Sequence, residues 1–206
     1  MLNFLKNARF YFLLFCCPLL ADSFEFNSYN NHGVIGLINT PTARFYEEGV
    51  FGATVYDGTP DQKLTITASP YDWLESSFFY TNIQNKRYCA DINASICKQD
   101  FKDKGFNIKV KIKDEGVWPA IAVGINDIAG TGFFSSEYIV GSYGIQNIDF
   151  HFGLGWGTLN GSDSTLKNPL TLIHDNFKSR PKDYGLGGQF TPSRYFSDEE
   201  ISPFYG

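Results

Sequence analysis

The sequence predicts an all-β fold, an antiparallel up-and-down meander forming part of a membrane β-barrel. Three observations carry this reading. Aromatic residues make up 17% of the 206 residues beside 20 glycines. Runs of period-two alternation begin at Gly49 and continue toward the C-terminus. The connections between those runs alternate between short and long. Charged residues are only 19% of the chain, too few for a coiled coil, and the aromatic content is too high for a disordered one. A formal net charge of −5 argues against a nucleic-acid partner.

Lys6 and Arg9 precede a mostly apolar stretch over residues 10–21, shorter than the roughly 20 residues a spanning helix needs. With Ala21 ahead of Asp22 and Ser23, residues 1–21 read as a secretory signal peptide. Its removal leaves 15 basic against 22 acidic groups, a net charge of −7. Residues 22–48 form an N-terminal segment, and residues 49–206 the barrel portion. Cys16 and Cys17 raise lipidation, although Phe15 is not the small residue a lipoprotein signal places before its cysteine.

The strands follow in order. Phe51, Ala53 and Val55 share one face of the first. Leu64, Ile66 and Ala68 oppose Lys63, Thr65 and Thr67 on the second. On the third, Leu74, Phe78 and Tyr80 alternate with Glu75, Ser77 and Thr81, and Phe79 interrupts the polar row. On the fourth, Phe106, Ile108, Val110 and Ile112 alternate with Asn107, Lys109, Lys111 and Lys113. Ile121, Val123 and Ile125 alternate with Ala120, Ala122 and Gly124 on the fifth. A sixth strand runs near residues 137–142. A seventh sets Ile148, Phe150, Phe152, Leu154 and Trp156 against Asp149, His151, Gly153 and Gly155. An eighth is expected from about Tyr184 to Phe190.

Short turns at residues 70–73, 114–117 and 143–147 alternate with long segments at 83–103, 128–134 and 159–183; residues 57–62 are the one short connection on the long side. In a membrane barrel the short turns face the periplasm and the long loops face outside. Cys89 and Cys97 fall in one of those loops, and as an even pair in an exported chain they read as a disulfide.

The apolar faces are large and aromatic, with Trp73, Trp118 and Trp156 near strand ends, as interfacial girdles require. The opposite faces are small and fit a narrow lumen. A soluble β-sandwich would bury the apolar faces instead and stands as the alternative. No window after residue 21 approaches 18 apolar residues, which excludes a membrane-spanning helix.

Catalytic motifs are missing. The glycine runs at 153–157 and 185–188 lie in strand context rather than before a helix, so they are not phosphate cradles. The three histidines are scattered, and no spacing pairs the acidic residues. No catalytic, cofactor-binding or metal-ligating residue is expected, and no cofactor. The row Lys109, Lys111, Lys113, spaced about 6.8 Å per step, would form a ladder for an anionic polymer if it lined a lumen. Pairing across the following turn is expected to set Lys111 near Ala120 and Lys109 near Ala122.

Six stretches carry a resemblance. Gly33-Val-Ile-Gly-Leu-Ile-Asn-Thr-Pro-Thr-Ala-Arg44, Pro70-Tyr-Asp-Trp-Leu-Glu75, Lys102-Asp-Lys-Gly-Phe106, Trp118-Pro-Ala-Ile-Ala-Val-Gly-Ile-Asn-Asp127, Gly130-Thr-Gly-Phe-Phe-Ser-Ser-Glu-Tyr138 and Gly153-Leu-Gly-Trp-Gly157 resemble, in order, the YjbH-like outer-membrane family linked to exopolysaccharide and capsule production. The resemblance implies a β-barrel in the outer membrane of a Gram-negative bacterium, non-enzymatic, serving secretion or assembly of extracellular polysaccharide. Its implied partners are outer-membrane lipid, the polysaccharide and other export proteins. Members are much longer, and the closing Ile201-Ser-Pro-Phe-Tyr-Gly206 resembles entry into another strand, so the chain is expected to be the N-terminal part of a longer protein. A structural or adhesion barrel and a periplasmic carbohydrate-binding sandwich are the alternatives.

Overall fold

Across the first seven strands polar or small side chains alternate with outward apolar ones, and Phe79, Ile83, Tyr138 and Val140 are large apolar residues that turn inward. The computed structural model describes residues 28–87, 99–161, 166–181, 190 and 192–206. The strands are β1 (Val50–Asp57), β2 (Asp61–Tyr71), β3 (Leu74–Arg87), β4 (Asp100–Lys113), β5 (Ala120–Ile128), β6 (Ser136–Ile145), β7 (Ile148–Gly157), β8 (Leu166–Lys167) and β9 (Glu200–Tyr205). They form one antiparallel sheet in the order β1-β2-β3-β4-β5-β6-β7-β9-β8. The up-and-down meander therefore holds through β7. Helical turns are confined, among the described residues, to short 3-10 segments at Pro169–Leu172, Asp175–Lys178 and Pro192–Arg194. The sheet is open, with β1 and β8 at its ends.

At the far edge the strand order departs from a simple sequential meander. The eighth strand anticipated near residues 184–190 falls almost wholly outside the described residues. The neighbour of β7 is instead β9, with Leu154 opposite Pro203, drawn from the C-terminal stretch that resembled a strand entry. Between them the chain makes an excursion through β8, which pairs with the other side of β9. The signal peptide, Cys16, Cys17, Cys89 and Cys97 also lie outside the described residues.

No second sheet stacks on the first among the described residues, so the sandwich is not what forms. The distribution of burial is inverted instead. Among the described residues, twenty-four buried polar or charged side chains stand against twelve buried apolar ones. Phe51 is 74% exposed, Val55 80% and Ile112 62%, and the outward residues of β2, β4, β6 and β7 follow them. Inward, Thr65, Thr67, Ser77, Asn107 and Ser142 are buried.

Two irregularities adjust the pattern. Phe106 faces Ile128 while Ile108 faces Ile125, so β5 carries one extra residue. At this bulge Asp127 adopts a φ of 62° and is buried beside Asn126. Lys111 faces Ala122 while Lys113 faces Ile121, so β4 carries the extra residue at its end.

Trp73 and Trp118 are exposed beside the short turns, and Trp73 stacks on Tyr71 at 5.3 Å between centroids. Trp156 departs from the expected girdle. It is 3% exposed because Phe196, from the excursion before β9, meets it edge-on at 5.2 Å. Its cross-strand neighbour Glu137 is covered as well, by Arg180, whose Nη1 donates to Oε1 at 3.0 Å.

Candidate functional site: a plugged inner face

The inner face is occupied by the protein's own N-terminal segment, residues 28–46. Two isolated bridges, Tyr29 with Ile35 and Gly36 with Pro41, fold it back on itself. A tight turn pairs Leu37 with Thr40 through both backbone hydrogen bonds, at 2.9 and 3.0 Å. The segment buries Val34, Ile35, Thr42 and Ala43 against the sheet. The stretch from Gly33 to Arg44, singled out in the sequence as an opening motif, is thus a plug.

The strands hold it mostly through its backbone. Thr67 Oγ1 donates to the carbonyl of Gly33. The carbonyl of His32 accepts from Ser77 Oγ at 2.6 Å and Asn107 Nδ2 at 2.7 Å. The amide of Ile35 donates to Glu75 Oε2 at 3.1 Å, and that of Ala43 to Ser142 Oγ at 2.8 Å. Polar residues that would have read as lumen lining are therefore the docking partners of a non-regular segment, whose backbone groups need partners once buried.

Lys109 is the hub. Its Nζ lies 2.6 Å from Glu75 Oε2 and donates to the carbonyls of Ile35 at 3.0 Å and Arg44 at 2.6 Å. It also sits 4.4 Å above the ring of Phe45. Both ionic side chains are 0% exposed. Burial of a charge is tolerated when it is paired and hydrogen-bonded, and here the plug supplies both carbonyls to Lys109 and one amide to Glu75 Oε2.

Arg44 fixes the other end of the segment to the short-turn rim. Its Nε and Nη2 form a fork on Asp149, at 2.8 and 2.6 Å, while Nη1 binds Glu115. Glu115 lies between β4 and β5, and Asp149 at the start of β7, so one guanidinium ties two turns to the plug. Burial works against its charge, but the two carboxylates outweigh that and hold its pKa above the ordinary arginine value. His32 has no such support. Burial, then the nearby Lys63, push it down to about 3, so the ring stays neutral at physiological pH. Arg44→Ala is expected to lose roughly 2–3 kcal/mol, and Arg44→Lys less, because lysine keeps the charge but not the fork. Urea unfolding in detergent, followed by tryptophan fluorescence, measures the order.

The lysine ladder does not form. Lys109 is buried under the plug, Lys111 pairs with Asp114 at 3.1 Å, and the bulge turns Lys113 toward Ile121 and over Trp118. The partners are also shifted by two residues from those expected: Lys109 faces Gly124 and Lys111 faces Ala122. The turn after β4 is longer than the sequence suggested, running from Asp114 to Pro119. The inward small residues do not line an open channel either. Tyr138 packs on Gly124, Phe204 on Gly153 and Leu159 on Gly155. These glycines make room for large interior side chains.

One juxtaposition was invisible in the sequence. Ser142 Oγ lies 2.8 Å from His151 Nδ1, and His151 Nε2 lies 3.6 Å from Asp149 Oδ2. The residue types are those of a nucleophilic triad, but Ser142 is buried beneath Ala43, whose amide it binds, and Asp149 serves Arg44. Ser142 and His151 share a hydrogen bond under the plug, and Asp149, at 3.6 Å from the ring, is committed to Arg44. No group of three or more His, Cys, Asp or Glu side chains that could hold a metal occurs among the described residues.

Comparison with known proteins places this arrangement. The chain is 35% identical over 170 residues to the uncharacterized lipoprotein YjbH of Escherichia coli (strain K12), covering 82% of this chain and 24% of that protein. It spans about a quarter of that relative's length. No solved structure matches it. The family described as exopolysaccharide biosynthesis protein YbjH matches residues 28–206, so that its match takes in the plug and every described strand, and the chain belongs to that family.

Proposed function

We propose that this chain is a portion of an outer-membrane β-barrel of a Gram-negative bacterium that serves the secretion or assembly of exopolysaccharide, without catalysing a reaction itself. One observation carries the reading: apolar side chains dominate the outer face of the sheet, while most buried side chains among the described residues are polar or charged. Water offers no reason to present Phe51, Val55, Leu64, Ile66, Phe106 and Phe152 outward, whereas lipid does. The exposed Tyr71, Trp73 and Trp118 beside the short turns suit a membrane interface. The relative's description as a lipoprotein supports export, with Cys16 or Cys17 as the attachment point. On this reading a polymer meets Lys109 only after the plug has left the inner face.

Fractionation tests the proposal. The full chain should stay with outer-membrane fractions after osmotic shock and alkaline wash, and its gel mobility should change on heating. Deleting the gene should lower surface polysaccharide. Recovery of the protein in the soluble periplasmic fraction would refute the membrane reading, and unchanged polysaccharide would refute the role in export.

A further inference from the structure

An apolar groove of about 700 Å³ runs along the outer face of β5, β6, β7 and β9. Two cross-strand rows build it. Ile121, Gly141 and Phe152 stand opposite one another in the first, and Ile139 and Leu154 in the second. Phe152 leans over Gly141, where a Cβ would stand 2.9 Å from its ring. Lys113 is the one charged residue among those lining the groove, and it stands at the short-turn end beside Trp118, with Nζ 5.8 Å from the ring centroid.

Among the described residues no carboxylate pairs with Lys113. Lys111 takes Asp114 and Arg44 takes Glu115, so the two acidic residues of the adjoining turn are engaged elsewhere. The extra residue in β4 is what brings Lys113 to the outer side, away from the buried Lys109. A cation and an exposed tryptophan at one end of an apolar trench match an amphiphile whose anionic group sits at the rim and whose chain lies in the trench.

We infer that this groove binds an anionic phospholipid, its phosphate at Lys113 and one acyl chain along Ile121, Ile139, Phe152 and Leu154. The inference rests on the membrane reading above and names the lipid contact that reading leaves open. The phosphate meets an ammonium that no described carboxylate neutralises, and the chain covers side chains that water would otherwise meet.

Native mass spectrometry of the full chain in detergent, titrated with phosphatidylglycerol or phosphatidylcholine, tests it. Phosphatidylglycerol should be retained about fivefold better, as one surface cation predicts. Lys113→Glu should abolish that preference, while Lys102→Glu, at an exposed position on β4 outside the groove, should preserve it. Equal retention of the two lipids, or a Lys113→Glu variant that keeps the preference, overturns the inference. So does retention of neither lipid, the result expected if another protein segment fills the groove. Heat-dependent gel mobility on the same samples separates the two levels: a chain that inserts without lipid preference refutes the groove alone, and one that never inserts refutes both.

Discussion

Lys109→Met is expected to cost about 3–5 kcal/mol, the largest loss of any single side chain in the sheet. Met fills a similar volume, but it leaves the Glu75 carboxylate in a fully buried site with no cation, and it strips the carbonyls of Ile35 and Arg44 of their donor. Glu75 Oε1 already lacks a hydrogen-bond partner, so the carboxylate depends on Lys109 and the Ile35 amide at Oε2. Adding Glu75→Gln should recover a large part of the loss, because the amide oxygen still accepts from Ile35 and no charge remains. Lys111→Met should cost under about 1 kcal/mol, since its partner Asp114 is largely exposed. Urea midpoints of the three variants in detergent decide the matter. Equal losses at 109 and 111 would mean that the buried pair does not hold the plug.

Gly33→Val is expected to expel the plug. Gly33 has a φ of 76°, and a Cβ there would lie 2.6 Å from Thr65 Oγ1 and 2.7 Å from its Cβ. The left-handed backbone costs about 1–2 kcal/mol for an L-residue and the overpacking about 1–3 more. Gly49 is the control: its φ is 84°, but nothing lies within 4 Å of its Cβ position, so Gly49→Val meets only the backbone term. Limited proteolysis should cut residues 28–46 rapidly in the Gly33 variant and slowly in the Gly49 variant. Equal cutting rates would show that contact with Thr65 does not seat the segment.

The strands were legible because their two faces differ at every second residue, and β2, β4 and β7 stood out on that basis. Phe79 illustrates the limit. It interrupts a polar row, yet it points inward, where it meets Phe134 edge-on at 6.0 Å. Periodicity reports which face a residue takes and not what covers that face. The same gap explains the lysine row. Three lysines at alternate positions are one face only while the ladder stays regular, and a single extra residue in β4 removed Lys113 from it. The plug was visible as a motif, but its role depends on Glu75, Lys109, Ser142 and Asp149, which no local spacing connects. Trp156 was misplaced for a similar reason, since Phe196 reaches it from beyond a long excursion.

The plug also dictates an order of events. Its attachments reach 34 residues ahead to Thr67, 99 to Ser142 and 105 to Asp149. The segment that leaves the ribosome before any strand can therefore settle only after β7 has been delivered and paired. Such distant contacts make folding slow. Until then the partners of Arg44 do not coexist in space, and both the first segment and the bare polar concavity need a holder. The plug is made ahead of every strand that holds it and comes to rest only after they have paired.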